Sequence, residues 1–390
     1  MRFSKVIDQI QEYPFAKIGR IANAVEQRDA IPVIRATVGN PDREAPAALK
    51  ECMAKFILQE GSTYGYPCDI YPRRGIPELI EAIIADYRKK YGVHLVPENI
   101  AVTSWAKEAL HNLVRLFGPG KVQVPDPVYP VYESATILSS NIVERVRAKK
   151  ATGWLPEFDL KKPGTAALYF CDPNNPTGSL AEIGFYQSLV GQMQTYNVGG
   201  IFDKAYKDYT LDRMVKPVSI TQVPGLMDYG FEVYSFSKHY NLVGVGLGWV
   251  VSSEANIDTW LRFSSHLNQG VAWYKQKTGV EALTNLAVKQ EMNDYLDELR
   301  VRQRILAKGL NSLGLKTGPS AATPYLWVAV PESYSDEDFV IKEMIDKAHV
   351  AFTPGSYFGN NGRGYFRTTL FMTKDKIEEA LDRIAKVRNW

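Results

Sequence analysis

Apolar residues along this chain follow two alternating periods. Short runs of strand length, bounded by turn residues, fall at 32–37, 100–103, 121–124, 166–170, 198–202, 233–236 and 247–251, and each predicts a β-strand. Between them the spacing becomes helical: Leu110, Leu113, Val114 and Phe117 share one face, with Ser104 in position to cap the start and Gly118-Pro119 to end it. A longer stripe of Met292, Leu296, Leu299, Leu306 and Leu310 predicts a helix over 281–313, long enough to bridge two domains. Strands alternating with helices predict an α/β sheet covered by helices. A smaller α+β pattern then runs to Trp390. No repeat or low-complexity linker interrupts the chain.

The polar residues gather just beyond the carboxyl ends of the predicted strands, where open α/β sheets bind ligands. The strand at 166–170 runs into "CDPNNPTG", 198–202 into "DKAY" and 233–236 into "SK". The strand at 100–103 runs into "SWAKEAL", which opens a helix, and 121–124 into "PDPVYPVY". Five such endings on one rim point to a single site.

Composition narrows the setting. The 390 residues exceed one small core and predict a large and a small domain, the small one including the N-terminal segment. Hydrophobic residues make up 45% and charged residues 23%, as in ordinary soluble proteins. A net charge of +3 argues against nucleic acid or an anionic membrane as partner. Cys52, Cys68 and Cys171 are scattered without metal spacing, which points to a reducing compartment and a cytoplasmic location. The opening MRFSKVIDQIQEYPF lacks the apolar core of a secretory signal. No stretch approaches the ~20 apolar residues of a membrane span.

The rim residues suggest a chemistry. A lysine amine forms an imine with an aldehyde cofactor. A carboxylate holds a protonated pyridine nitrogen and makes the ring an electron sink. A helix N-terminus holds a phosphate, and an aromatic side chain stacks on the ring. Lys238, Asp203, the helix start at 104–106 and Tyr129 supply these four elements and together describe a site for pyridoxal 5′-phosphate (PLP).

With "ATVGNPD", "NNPTG", "DKAY", "SFSK", "PGSYFG" and "GYFRTTL" in this order, nearly the whole chain resembles a fold-type-I PLP enzyme of the class I/II aminotransferase family. It is most similar to LL-diaminopimelate and related aspartate-type aminotransferases. The resemblance implies a large PLP-binding domain over 45–285 with a mostly parallel seven-stranded sheet, and a smaller α+β domain from 1–44 and 286–390. It implies that Lys238 is the Schiff-base lysine and acid/base, and that Asp203 partners the pyridine nitrogen. Asn175 and Tyr206 match the positions that hydrogen-bond the ring hydroxyl, and Tyr129 the stacking aromatic. Ser104, the backbone of Trp105 and Ala106, and Ser235 match the phosphate cradle, with Ser237 a further candidate. Tyr66 resembles the tyrosine that reaches the neighbouring subunit's phosphate, which implies a homodimer with shared sites. Arg367 matches the fork for the substrate α-carboxylate, and Gly39 the glycine beside it.

The pattern is broken at three positions. The arginine usual eight residues after the lysine, which pairs with the cofactor phosphate, is Gly246; the glycine usual at the helix start is Trp105; and the small hydroxyl residue after it is Ala106. Extra sequence, "CDIYPRR", also stands between Tyr66 and Gly75. A weaker phosphate grip suits chemistry that never frees the amine cofactor, unless Lys107 or Arg262 replaces the arginine. Three readings follow. One is an amino-acid aminotransferase. The second is a non-transaminating cyclase or lyase, acting by elimination and ring closure on a hydroxylated arginine-type amino acid in natural-product biosynthesis. The third is a non-catalytic PLP-binding regulator.

Overall fold

A computed structural model describes residues 4–10, 12–37, 39–59, 74–268, 270–318 and 320–390. Its strands are β1 (Ile34–Arg35), β2 (Ile100–Thr103), β3 (Lys121–Asp126), β4 (Ile142–Arg147), β5 (Thr165–Cys171), β6 (Gly199–Asp203), β7 (Gly230–Ser235), β8 (Gly248–Val251), β9 (Tyr325–Ala329), β10 (Val350–Ala351), β11 (Thr353–Pro354) and β12 (Tyr365–Thr369).

Seven strands form one sheet in the order β2-β8-β7-β6-β5-β3-β4. The pairs from β7 to β4 are parallel, and β8 runs antiparallel to both β7 and β2. The mostly parallel seven-stranded sheet is therefore as expected. Every residue of β6 and β7 is buried, as it must be where helices cover both faces of a parallel sheet. The one carboxylate in β7, Glu232, is satisfied by Tyr87 Oη at 2.6 Å, Ser219 Oγ at 2.7 Å and the Ile220 N–H at 2.9 Å.

Two smaller sheets complete the fold. The strands β11-β12-β9 are antiparallel, and β1 pairs with β10 in parallel. One apolar core joins residues of the helix Pro14–Asp29, the segment 205–211, the helix Leu286–Ser312 and the C-terminal strands and helix Lys374–Val387. Other cores lie on the two faces of the seven-stranded sheet.

Three expectations need correction. The strand β4 was not anticipated, because it is an edge strand whose only fully buried residue is Val146. The helix expected over 281–313 is two helices, Trp273–Thr284 and Leu286–Ser312. Asn285 breaks the run, and its side chain accepts hydrogen bonds from the N–H groups of Ala287 and Val288, the action of an N-cap. The stripe from Met292 to Leu310 is nonetheless buried. Ser104 does not cap the helix Ala106–Leu113. Its N-cap is Trp105, with φ +69°, and the Ser104 N–H donates to Glu108 Oε2 at 2.8 Å.

Candidate active site

The carboxyl ends of β5, β6 and β7 deliver their polar residues to one cavity of about 510 Å³. Its lining includes Gly39, Trp105, Ala106, Tyr129, Asn175 and Asp203, and also Tyr206, Ser235, Ser237, Lys238 and Arg367. Ser104 is not part of this lining; it faces a separate small cleft beside Glu108 and Trp260. Tyr66 and the segment 68–73 lie outside the described residues.

Lys238 reaches the cavity from a single helical turn, Phe236–His239, that follows β7. Ser235 starts the turn by accepting the Ser237 N–H at 3.2 Å. The Lys238 amine donates to Gly39 O at 2.8 Å, and Asn40 Oδ1 lies at 3.4 Å. Burial lowers its pKa to about 8, the Arg367 charge adds to the shift, and Asp203 opposes it. This is the state a nucleophilic amine needs. Lys204, the lysine next to Asp203, is taken up by Asp172 at 2.9 Å in a fully buried pair.

Asp203 ends β6. Its Oδ1 accepts the Ala205 N–H at 2.9 Å and its Oδ2 accepts from Tyr132 Oη at 2.6 Å. Burial raises its pKa, against the pull of these two hydrogen bonds. Tyr206 shares a hydrogen bond of 2.7 Å with Tyr325 Oη, and Tyr129 shares one of 3.1 Å with Tyr13 Oη.

Arg367 is only 1% exposed. Its Nη1 donates to Asn175 Oδ1 and its Nη2 to Thr37 O, each at 2.7 Å. Aromatic rings of Tyr325, Phe358 and Phe15 pack within 4.2–5.0 Å of its guanidinium carbon. No carboxylate pairs with it among the described residues, and its Nε–H is buried without an acceptor. A buried cation in this condition is costly unless an anion joins it.

The close approaches depend on glycine. A Cβ on Gly39 would lie 2.4 Å from Tyr325 Oη, and one on Gly248 would lie 2.5 Å from Tyr234 O and 3.1 Å from Ala106 N. A Cβ on Gly246 would lie 2.7 Å from the Trp105 ring. Of the two cations considered in place of the missing arginine, Lys107 lines the cavity and Arg262 does not. Burial lowers the pKa of Lys107.

These residues fit a PLP molecule. A half-buried amine with no carboxylate bonded to it among the described residues, a buried carboxylate, two serines and a guanidinium with an unsatisfied Nε–H surround a cavity of the right size. Lys238, Asp203, Tyr129, Asn175, Tyr206, Ser235, Ser237 and the backbone at Trp105–Ala106 could hold it. Sequence reasoning missed Tyr132, Tyr13, Phe15, Thr37 and Tyr325. Only Tyr132 left a signal, in the repeated "VYPVY".

The seven-stranded sheet, with its polar groups at one rim, is that of a fold-type-I PLP-dependent transferase. The model of aminotransferase class I and II matches residues 32–384, and the chain belongs to that family, whose enzymes depend on PLP. The chain is 32% identical, over 98% of both chains, to LL-diaminopimelate aminotransferase 2 of a Nostoc species. Among solved structures it is similar to substrate-bound BacF of Bacillus subtilis, with a TM-score of 0.89, 26% identity, and 100% and 98% of the two chains covered. It also matches Thermus thermophilus aspartate aminotransferase with a TM-score of 0.88, 24% identity, and 99% and 100% covered. The chain is thus an aminotransferase-type enzyme acting on amino acids, and these relatives do not favour the cyclase, lyase or regulator readings. No helix among the described residues is long and apolar enough to cross a membrane.

Proposed function

We propose that this enzyme uses PLP bound at Lys238 to move the amino group of an α-amino acid to a keto acid. The observation that carries the reading is Arg367, a buried guanidinium with a free Nε–H and no carboxylate partner among the described residues, in the same cavity as Lys238. An α-carboxylate is the planar, bidentate anion that suits it.

Bound PLP supplies an aldehyde carbon and an electron-withdrawing pyridinium. The chain's own residues do the rest. Arg367, steadied by Asn175 and Thr37, takes the substrate carboxylate and fixes the Cα–H bond relative to Lys238. The Lys238 amine, neutral in good part near pH 8, would serve as the base for the substrate Cα–H and, once protonated, as the acid that gives that proton back. Asp203, oriented by Tyr132 and the Ala205 N–H, keeps a negative charge beside the ring nitrogen and so favours its protonated form. Tyr129 and Tyr206 line the same cavity and would hold the ring, Tyr129 against its face and Tyr206 through its hydroxyl.

The division into 45–285 and 1–44 with 286–390 belongs to the same reading, supported by the helix break at Asn285. So do a homodimer with Tyr66 in the partner's site and a cytoplasmic location. The test is spectroscopic. The purified protein should be yellow, and amino acids, LL-diaminopimelate among them, should convert the cofactor to its amine form, with the colour restored by a keto acid. Release of ammonia without any keto acid requirement would refute transamination.

A further inference from the structure

Tyr325 opens β9 and is almost wholly enclosed, yet it belongs to the lining of the cavity that holds Lys238. Trp327, two residues on, is the cross-strand partner of Arg367. Tyr325 therefore leaves the same face of that sheet as Arg367, one diagonal step away. Its ring is the nearest of the three that pack on the guanidinium carbon, at 4.2 Å. Its Oη shares the 2.7 Å hydrogen bond with Tyr206 Oη. Gly39 also lies against it, since a Cβ there would come within 2.4 Å of that Oη, and Gly39 O accepts the Lys238 amine. One phenol thus touches the carboxylate fork, the backbone beside the lysine and the tyrosine expected at the cofactor ring.

The direction of the Tyr325–Tyr206 bond decides what Tyr206 can offer a ligand. Neither Oη has another hydrogen-bond partner among the described residues, and each phenol has one proton to give. Burial raises the pKa of both, but less at Tyr325, where the Arg367 charge is the largest opposing influence. Cys171 and Tyr13 are the other titratable groups that act on Tyr325. The more acidic phenol is the better donor. With the Tyr325 O–H given to Tyr206, the Tyr206 proton is left for the cavity. In the reverse order Tyr206 would have none to offer.

We propose that Tyr325 is a positioning residue for the cofactor: it donates to Tyr206, aims the Tyr206 proton at the ring oxygen of PLP, and ties that hydrogen bond to the Arg367 fork. The inference rests on PLP binding at Lys238 and holds whichever reaction follows. A hydrogen bond donated to an ionised oxygen favours its charged form, and a second phenol behind the first strengthens the donor. That donor also competes with the proton of the Lys238 linkage for the ring oxygen. Losing it raises the pH at which the linkage gives up its proton.

The readout is the pH midpoint of the bound cofactor's visible band in the holoenzyme, for wild type, Tyr325→Phe, Tyr206→Phe and the double variant. Tyr325→Phe keeps the ring against Arg367 and removes only the hydroxyl. It should raise the midpoint by about 0.5–1 pH unit, the effect of about one hydrogen bond. Tyr206→Phe should raise it at least as far. Adding Tyr325→Phe to Tyr206→Phe should then change nothing, because the second phenol acts only through the first. The PLP dissociation constant, from equilibrium dialysis, should show the same non-additivity. An unmoved midpoint in Tyr325→Phe, or additive shifts in the double variant, would overturn the inference and leave the functional reading standing. A wild type that takes up no PLP would overturn the functional reading, and this inference with it.

Discussion

The indole of Trp105 fills the space beside Gly246: a Cβ there would lie within 2.9 Å of three ring atoms. The two residues form one unit, since the ring occupies the room that a side chain at 246 would need. Gly246 also holds φ at +75°, which favours glycine. Gly246→Arg alone should therefore unfold at lower temperature and bind cofactor poorly. Trp105→Gly combined with Gly246→Arg should recover much of that loss. A charge-assisted pair contributes about 1.5–3 kcal/mol, so the double variant should retain the amine form of the cofactor roughly ten- to a hundredfold more tightly than wild type. Equilibrium dialysis measures this, and equal retention in the two proteins would show that another cation already holds the phosphate.

Lys238 should bear the cofactor. Lys238→Ala should lose both the visible absorbance of the bound cofactor and turnover. Because burial brings the amine to about 8, the rate at which cofactor-free enzyme takes up PLP should rise through pH 8 as the amine loses its proton. An exposed lysine would titrate near 10.4. A midpoint near 10 in stopped-flow absorbance would contradict the enclosed, desolvated amine described above.

Asp203 and Tyr132 should behave as a graded pair. Asp203→Asn removes the charge beside the ring nitrogen and should cut kcat by orders of magnitude, while Asp203→Glu should keep part of it. Tyr132→Phe removes only the 2.6 Å hydrogen bond that holds the carboxylate charged. It should raise the Asp203 pKa further, cost roughly tenfold in kcat by the loss of about one charge-assisted hydrogen bond, and move the acid limb of the pH profile upward. Wild-type kcat in Asp203→Asn would make the aspartate structural.

Arg367→Lys should raise the amino-acid KM strongly, because a lysine cannot make the planar two-point contact. Losing a desolvated charge pair costs about 2–5 kcal/mol. Amines lacking the carboxylate should be poor substrates for wild type. Equal kcat/KM for an amino acid and its decarboxylated analogue would remove Arg367 from substrate recognition.

Much of this site was legible because its chemistry sits at strand ends. Lys238, Asp203 and Asn175 each follow a buried apolar run, so periodicity located them and motif order assigned them. Strand β2 falls on the residues predicted for it, Ile100–Thr103. What escaped depends on tertiary contact. The polar character of β4 hid it, since an edge strand needs few apolar residues. Tyr132 and Tyr325 look like ordinary core tyrosines until the fold brings them to Asp203 and Tyr206. Ser104 looks like a helix cap by composition, yet the left-handed backbone of Trp105 turns the chain and the Glu108 carboxylate takes its N–H.

The enclosure of Arg367 joins distant stretches of the chain. Its guanidinium binds Thr37, 330 residues earlier, and Asn175, 192 residues earlier, and lies against Phe15. During synthesis the sheet that carries Lys238 and Asp203 can close while the ribosome has yet to make residue 367, since domains fold largely as their residues emerge. A nascent or clipped chain ending in the long helix could therefore display the reactive amine without any means of choosing an acid. The wall that faces the proposed carboxylate is therefore complete only once residue 367 has been made, long after the amine beside it.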